Sequence, residues 1–402
     1  MAAASGTGFA LPPAASAAAR AAAAHFQRLG LPTPRAEAWK YTNLRGLGAV
    51  DFAPAAPSSA PLPDLPVLAS LPGLPRLVFV NGHHRPDLSN VAPGPAGPGA
   101  PALARPERDA FAALNTMFAT PSPIVVPPGH DAGTVLRLSL TLAGSDPIAA
   151  HPRQSLTLGA GARLTLLDVS AGTGAYLHNE VLEIALGAGA HLTHLRLQEG
   201  SAAAFAITTL YADLAEGAGY DALSFTLGAA LSRTEAHVAL SGAKARFTFE
   251  AAQALTAHQH GDITTVLAHD APQGRSRQTI RNVLAQSARG VFQGRIDVAR
   301  AAQKTDGYQM NHALLLSANA EIDSKPELRI NADDVKCSHG ATVGELDADQ
   351  IFYLRSRGIP EPEARAMLIR GFLAEPLAAI AEAPIRAVFD DALARALTGL
   401  TA

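Results

Sequence analysis

The sequence predicts a mainly β chain. A right-handed parallel β-helix is flanked by an N-terminal helical region with proline-rich linkers and by a C-terminal helical domain. Three observations carry this. Four segments of strand–turn–strand content align, with leucines before their turns at Leu158, Leu186, Leu214 and Leu240, spaced 28, 28 and 26 residues apart. The turns are built of Gly and Ala, which allow tight corners and close approach of neighbouring backbones. Segments of helical period are almost missing between residues 123 and 346, which argues against βαβ units. One such coil cannot bury its apolar face alone; stacked coils can, with backbone bonds running from coil to coil. A solenoid leaves open edges, so its ends must be capped or paired.

Taken in order, Ala14 to Leu29 reads as a helix closed by Gly30. Arg35 to Thr42 follows and holds the only tryptophan, Trp39. Prolines crowd residues 53–75 and exclude regular helix and central strand there. Leu77 to Asn81 reads as a short strand before an Asn-Gly turn, 92–106 as a second linker and 107–118 as a short helix. The N-terminal region thus spans 1–122 and the β-helix 123–346. In the C-terminal domain, 347–402, Asp347 caps a helix that carries Ile351, Phe352 and Leu354 toward a core. Ala364, Met367, Leu368, Phe372 and Leu373 recur at helical spacing after Pro360, and a last helix starts at Pro376 and is kinked near Pro384.

Composition narrows the function. The chain has 402 residues, 48% of them hydrophobic, and a formal net charge of −3. That is globular and gives no electrostatic case for nucleic acid or an anionic membrane. No run of about 18 apolar residues predicts a transmembrane helix. A single cysteine rules out an intramolecular disulfide and fits a reducing compartment. Residues 1–24 are rich in Ala and Ser, carry only Arg20 as a charge, and lack the form of a secretory signal. The expected location is the cytoplasm, with a plastid as the less favoured alternative.

The segment Ala332 to Asp347 is the main candidate for chemistry. Cys337 and His339 are two apart, so on a strand they share a face, and thiolate plus imidazole suit iron or zinc. Asp333, Asp334, Glu345 and Asp347 add oxygen donors nearby. The plainer reading is a buried Cys and a hydrogen-bonded His of the last coil. Two ligands cannot close a four-coordinate site, so a metal here needs a second subunit. His258 and His260, two apart, would share a strand face and form a second candidate cluster with Asp262 and His269; the simpler reading is a polar outer face. His191, His194, His83 and His84 read as surface residues. No Gly-x-Ser-x-Gly elbow and no phosphate-binding P-loop are present.

The run Asp333-Asp-Val-Lys-Cys-Ser-His-Gly-Ala-Thr-Val-Gly-Glu-Leu-Asp347, followed by Ile351-Phe-Tyr-Leu-Arg-Ser-Arg-Gly-Ile359, closely resembles the SufB/SufD family of iron–sulfur cluster assembly scaffolds. Its continuation and the lone cysteine resemble the SufD branch. Ser276 to Leu284, Arg289 to Ile296, Ala302 to Gln309 and Arg35 to Thr42 are similar to the same family. The resemblance implies a non-catalytic subunit of a SufBCD complex that supports de novo cluster assembly and iron acquisition. It implies pairing with SufB through the last coils and docking of the SufC ATPase on the C-terminal helices. Phe352, Tyr353, Leu354, Arg357, Met367 and Phe372 are the candidate docking residues. It also implies that His339, with Cys337 second, is a candidate ligand of a transient cluster shared with SufB. Some complexes of the family bind reduced flavin, and no residue pattern here locates it. Where the family often has Glu after Pro-x-Leu, this chain has Arg329. A carbohydrate-active β-helix enzyme and a homo-oligomeric structural solenoid are the competing readings.

Overall fold

In the computed structural model, residue 9, residues 15–94 and residues 101–401 are described. The expected helix start at Ala14, most of the leader and the middle of the second linker lie outside them. Two long sheets face each other, and each coil of the chain adds one strand to each. Strands 153–158, 176–186, 205–214, 231–240, 260–269, 289–298 and 321–330 belong to the first sheet; strands 131–142, 163–173, 191–200, 219–228, 246–255, 275–284, 306–315 and 336–344 belong to the second. Every pairing between these coils is parallel. The chain is a parallel β-solenoid, as its repeats predict.

The aligned leucines stack directly: Leu158 pairs with Leu186, Leu186 with Leu214, and Leu214 with Leu240. The column continues as His269, Val298 and Ile330. Neither leucine nor the 28-residue spacing persists there, which hides the later coils from a repeat search. Corner residues are held by bonds from coil to coil: Gly161 N–H donates to Ala188 O, Gly189 to Glu216 O and Gly217 to Ala243 O, each at 2.8 Å. These glycines have φ of +64° to +68°, and the equivalent Lys244, Gln273 and Lys304 keep φ of +61° to +63° without glycine. The coil-to-coil bond thus imposes the left-handed corner even on residues that disfavour it.

Leucine, isoleucine and phenylalanine fill the interior of most coils. Toward the far corners the first coils enclose charge instead. Arg137 Nη1 bonds Asp168 at 2.9 Å and its Nη2 bonds Glu180 at 2.6 Å; Arg196 reaches Glu180 at 2.8 Å. His194, expected on the surface, lies fully buried here, bonded to Tyr220 and Asp168. Burial works against the charge on Asp168, yet Arg137, His194 and Arg196 hold its carboxyl far below the usual range. Such a network is stable only while every partner is present.

The N-terminal region supplies helices α1 (Ala17–Leu29), α2 (Arg45–Gly48), α3 (Pro66–Ser70) and α4 (Ala110–Phe118). Ser16 caps α1 through the N–H of Ala19, and Gly30 ends it with φ +64°. α3 overturns the expectation that prolines exclude helix from 53–75: Pro66 occupies its first turn, where no N–H is needed. Strand 76–80 matches the expected one, but it joins the second sheet beside Leu136–Leu140. The solenoid sheets therefore begin before residue 123.

Arg35 to Thr42 is a clamp. Arg233, fully buried on the outer face of the first sheet, donates to Ala38 O at 2.9 Å, sits 4.0 Å from the Trp39 ring and pairs with Asp262 and Glu235. Thr42 bonds Asp262 and His260. On the other flank, α5 (Ala348–Ser356), α6 (Glu361–Ala374) and α7 (Ala383–Thr401) complete the chain. A short 3-10 turn, Pro376–Ala379, precedes α7, which starts later than expected. Ile369, Leu373, Ile385, Phe389 and Leu393 pack on the leucines of the second sheet.

Candidate functional site

The two ends of the solenoid differ. At the near end the outermost strands are 53–54, 83–84 and 121–126; the first two are two residues long and the third carries Pro121 and Pro123, which leaves little backbone to pair with. At the far end the outermost strands are 321–330 and 336–344, and neither has a neighbour beyond it among the described residues. Pro326 interrupts the donors of the first, a common protection of an edge. Lys336 is the only residue of the second with a full charge; the rest are Cys, Ser, His, Thr, Gly, Ala and the exposed Val343. A long edge with so little charge is a template for another strand.

Cys337 and His339 sit on this edge strand, in register with Gly307 and Gln309. Gln309 is fully buried inside the solenoid, so both side chains stand on the interior side of a coil that no further coil covers. Cys337 is half-buried against the core, its Sγ over the bare Cα of Gly307; His339 is exposed. Burial pushes the Cys337 thiol up, the Asp306 charge adds to this, and the backbone N–H of Gly307 opposes it. The expected shared face is therefore present. Asp333, Asp334 and Asp347 fall outside the strand, the first two in the preceding turn and Asp347 as the cap of α5. Among the described residues, no three His, Cys, Asp or Glu side chains converge to hold a metal. Arg329 points from the outer face of the edge, 62% exposed, toward Asp297 and Glu327 at 4.0 and 3.8 Å.

The other histidines disperse. His258 lies in a turn and does not share a strand face with His260, which bonds Thr42 on the outer surface. His269 is not on the outer face as expected: it is fully buried in the interior column and bonds Ser276 Oγ at 2.9 Å. A ladder of amides was not anticipated. Gln253 donates to Asn282 at 2.9 Å and Asn282 to Asn311 at 2.8 Å, which carries polarity toward the open end. Alternation of Gln and Asn with apolar residues in these strands is the trace it leaves in the sequence.

Beyond the edge, α5 corrects another expectation. It buries no residue, and Phe352 and Tyr353 are 73% and 58% exposed. The helix leaves the last strand at the open end, where no layer lies above it. Met367 is also exposed, Arg357 is exposed, and Leu354 is half-buried. Phe372 faces inward instead, packed near the second sheet with Arg281 5.7 Å from its ring.

The fold and this end define a class: a β-solenoid with a built, uncovered terminus and a helix with exposed aromatic side chains beside it. Residues 141–372 match the family model described as SUF system FeS cluster assembly, SufBD core domain. The chain is 35% identical over 374 residues to the iron–sulfur cluster assembly protein SufD of Escherichia coli K12, covering 87% of this chain and 86% of that one. It is 34% identical over 383 residues to a SufBD family protein of Synechocystis, covering 87% and 84%. A chloroplastic protein of Arabidopsis thaliana, ABCI7, is 33% identical over 247 residues, 60% of this chain and 51% of that one. The chain belongs to the SufBD family of iron–sulfur cluster assembly proteins, and its relatives include SufD. No helix among the described residues is long and apolar enough to cross a membrane.

Proposed function

We propose that this chain is the SufD-type subunit of a cytoplasmic SufBCD scaffold, non-catalytic itself, that pairs with SufB through its last coil and binds the SufC ATPase through its C-terminal helices. One observation carries the reading: at the far end the outer edge of strand 336–344 has no partner among the described residues, with Cys337 and His339 on its uncovered interior side. Addition of a partner strand would close the sheet and bring the partner's side chains over these two donors. Two donors fall short of the four that a tetrahedral iron needs, so the remainder come from the partner. The cluster is cargo, built on the shared site and passed on. Iron favours the thiolate, so capture at Cys337 releases its proton.

For SufC, the exposed Phe352, Tyr353 and Met367 provide apolar anchors beside Leu354 and Arg357. Aromatic side chains of this kind dominate binding energy when a partner covers them. Phe372 supports the helix rather than touching the partner. A reduced flavin would belong to the assembled complex.

Co-expression with SufB and SufC, followed by anaerobic reconstitution, tests the reading. The complex should co-purify, and His339→Ala should keep both partners while lowering the yield of cluster absorbance. Phe352→Asp should lose SufC and keep SufB. Failure to bind either partner refutes the proposal; an unchanged cluster yield removes His339 from the site. Sedimentation without SufB separates it from self-association of the open end.

A further inference from the structure

A cavity of about 930 Å³ lies on the outer face of the first sheet, walled by the N-terminal segments. Its floor holds an aromatic platform. The rings of Tyr211 and His237 stack with centroids 5.1 Å apart and planes at 11°. Both are pinned. The Tyr211 hydroxyl donates to Asp109 Oδ2 at 2.9 Å, and His237 Nε2 bonds Glu235 Oε1 at 3.0 Å. Asp109 is itself fixed by the N–H groups of Phe111 and Ala112 at the start of α4, and Glu235 by Arg233.

Tyr211 covers one face of the imidazole. On the other side the register neighbour is Val266, which is too short to cover it, and His237 remains 33% exposed. The next residue in that row is Arg295, held sideways by Asp297 at 2.9 Å. Two strand spacings separate His237 from Arg295, about 9–10 Å. That gap over Val266 accepts one flat ring, with the imidazole on one side and the guanidinium row on the other.

The polar groups around this gap are unlike each other. Asp213, Glu235, Asp270 and Asp297 line the cavity from the sheet side, Asp270 about 13 Å along the chain from Val266, and Arg105 and Arg108 line it from the N-terminal wall. A carboxylate accepts from ring N–H and amino groups; arginines take phosphate oxygens. Arg108 is 75% exposed, with Glu107 at 4.0 Å, so its guanidinium faces solvent. The volume lies within the usual range for a small-molecule site.

We propose that this cavity binds a purine nucleotide, with the base stacked on His237 over Val266 and its phosphates toward Arg105 and Arg108. The proposal is independent of the cluster-assembly reading.

Trp39 is the only tryptophan and lines the same cavity, so its emission reports occupancy directly. The full chain is titrated with ADP and, separately, GDP, followed by Trp39 fluorescence and by calorimetry. One of them should give a saturable change with a micromolar Kd at one site per chain; the stronger of the two identifies the base. Val266→Phe fills the gap and should weaken that ligand about tenfold or more. Arg108→Ala, on an exposed side chain, should weaken the nucleotide about tenfold and leave the corresponding nucleoside unaffected. This second variant keeps the test decisive if the first does not fold. No saturable signal with either nucleotide up to millimolar concentration overturns the proposal, as does binding indifferent to both substitutions.

Discussion

Acidification should loosen the solenoid at His269. This side chain takes a leucine's place in the interior column, between Leu240 and Val298, and is fully buried. Its Nε2 bonds Ser276, and its Nδ1 has no partner. Burial pushes its pKa down to about 4 from the ordinary 6.5. Above pH 6.5 the imidazole is neutral whether the chain is folded or not, and its contribution is constant. As pH falls from 6.5 toward 4, the unfolded chain takes up the proton and the folded chain does not, so stability is lost across that window. At about 1.4 kcal/mol per pH unit, the loss reaches about 3 kcal/mol near pH 4. The perturbation is His269→Leu combined with Ser276→Ala, which restores the apolar column and leaves no orphaned hydroxyl. Urea unfolding, followed by circular dichroism and Trp39 emission between pH 7.5 and 4.5, gives the difference between variant and parent. Contributions common to both, including the buried His151, cancel. The variant should gain relative to the parent by about 2.5 kcal/mol by pH 4.5. A difference that stays flat with pH would refute the reasoning.

Three further outcomes follow from packing and charge. Gly228 has φ +80°, and a Cβ there would lie 2.2 Å from the Gly200 carbonyl oxygen, so Gly228→Ala should lower stability by about 3 kcal/mol or more, read as a fall in thermal midpoint. Arg233→Met should cost about 3–5 kcal/mol, because Asp262 and Glu235 keep their buried charge without a counter-ion; limited proteolysis should then cut first between residues 30 and 50, as the Trp39 clamp opens. Leu214→Ala, in the middle of the leucine column, should cost about 2–5 kcal/mol by denaturant midpoint, whereas Phe352→Ser on the exposed α5 should leave that midpoint unchanged.

Much of this molecule is written locally. The leucines at 158, 186, 214 and 240 declare a stack because identical residues must lie over one another when coils are in register. The Gly-Ala corners declare the turns. The i, i+2 spacing of Cys337 and His339 places them on one face for the same reason that any strand alternates. These features depend on neighbours within a few residues, or on a strict repeat, and a sequence displays both.

What the tertiary structure decided depends on what is absent or distant. Cys337 and His339 face the solenoid interior, yet His339 is exposed, because no coil follows; nothing local in Lys336–Gly344 reports a missing neighbour. The capped helix is expected to carry Phe352 into a core, but α5 touches α6 without burying any residue, and only the arrangement of the ends reveals that. His194 and His269 went the other way, from expected surface to full burial, since inside and outside alternate along a strand and the phase is set by the opposing sheet. The corner of Lys244, Gln273 and Lys304 is left-handed because a bond from the next coil holds it, not because the residues prefer it. The sequence alone thus determines that the chain is a stack of coils ending in a Cys-x-His strand; contact between coils, and its loss at the last one, decides that this strand is an open edge.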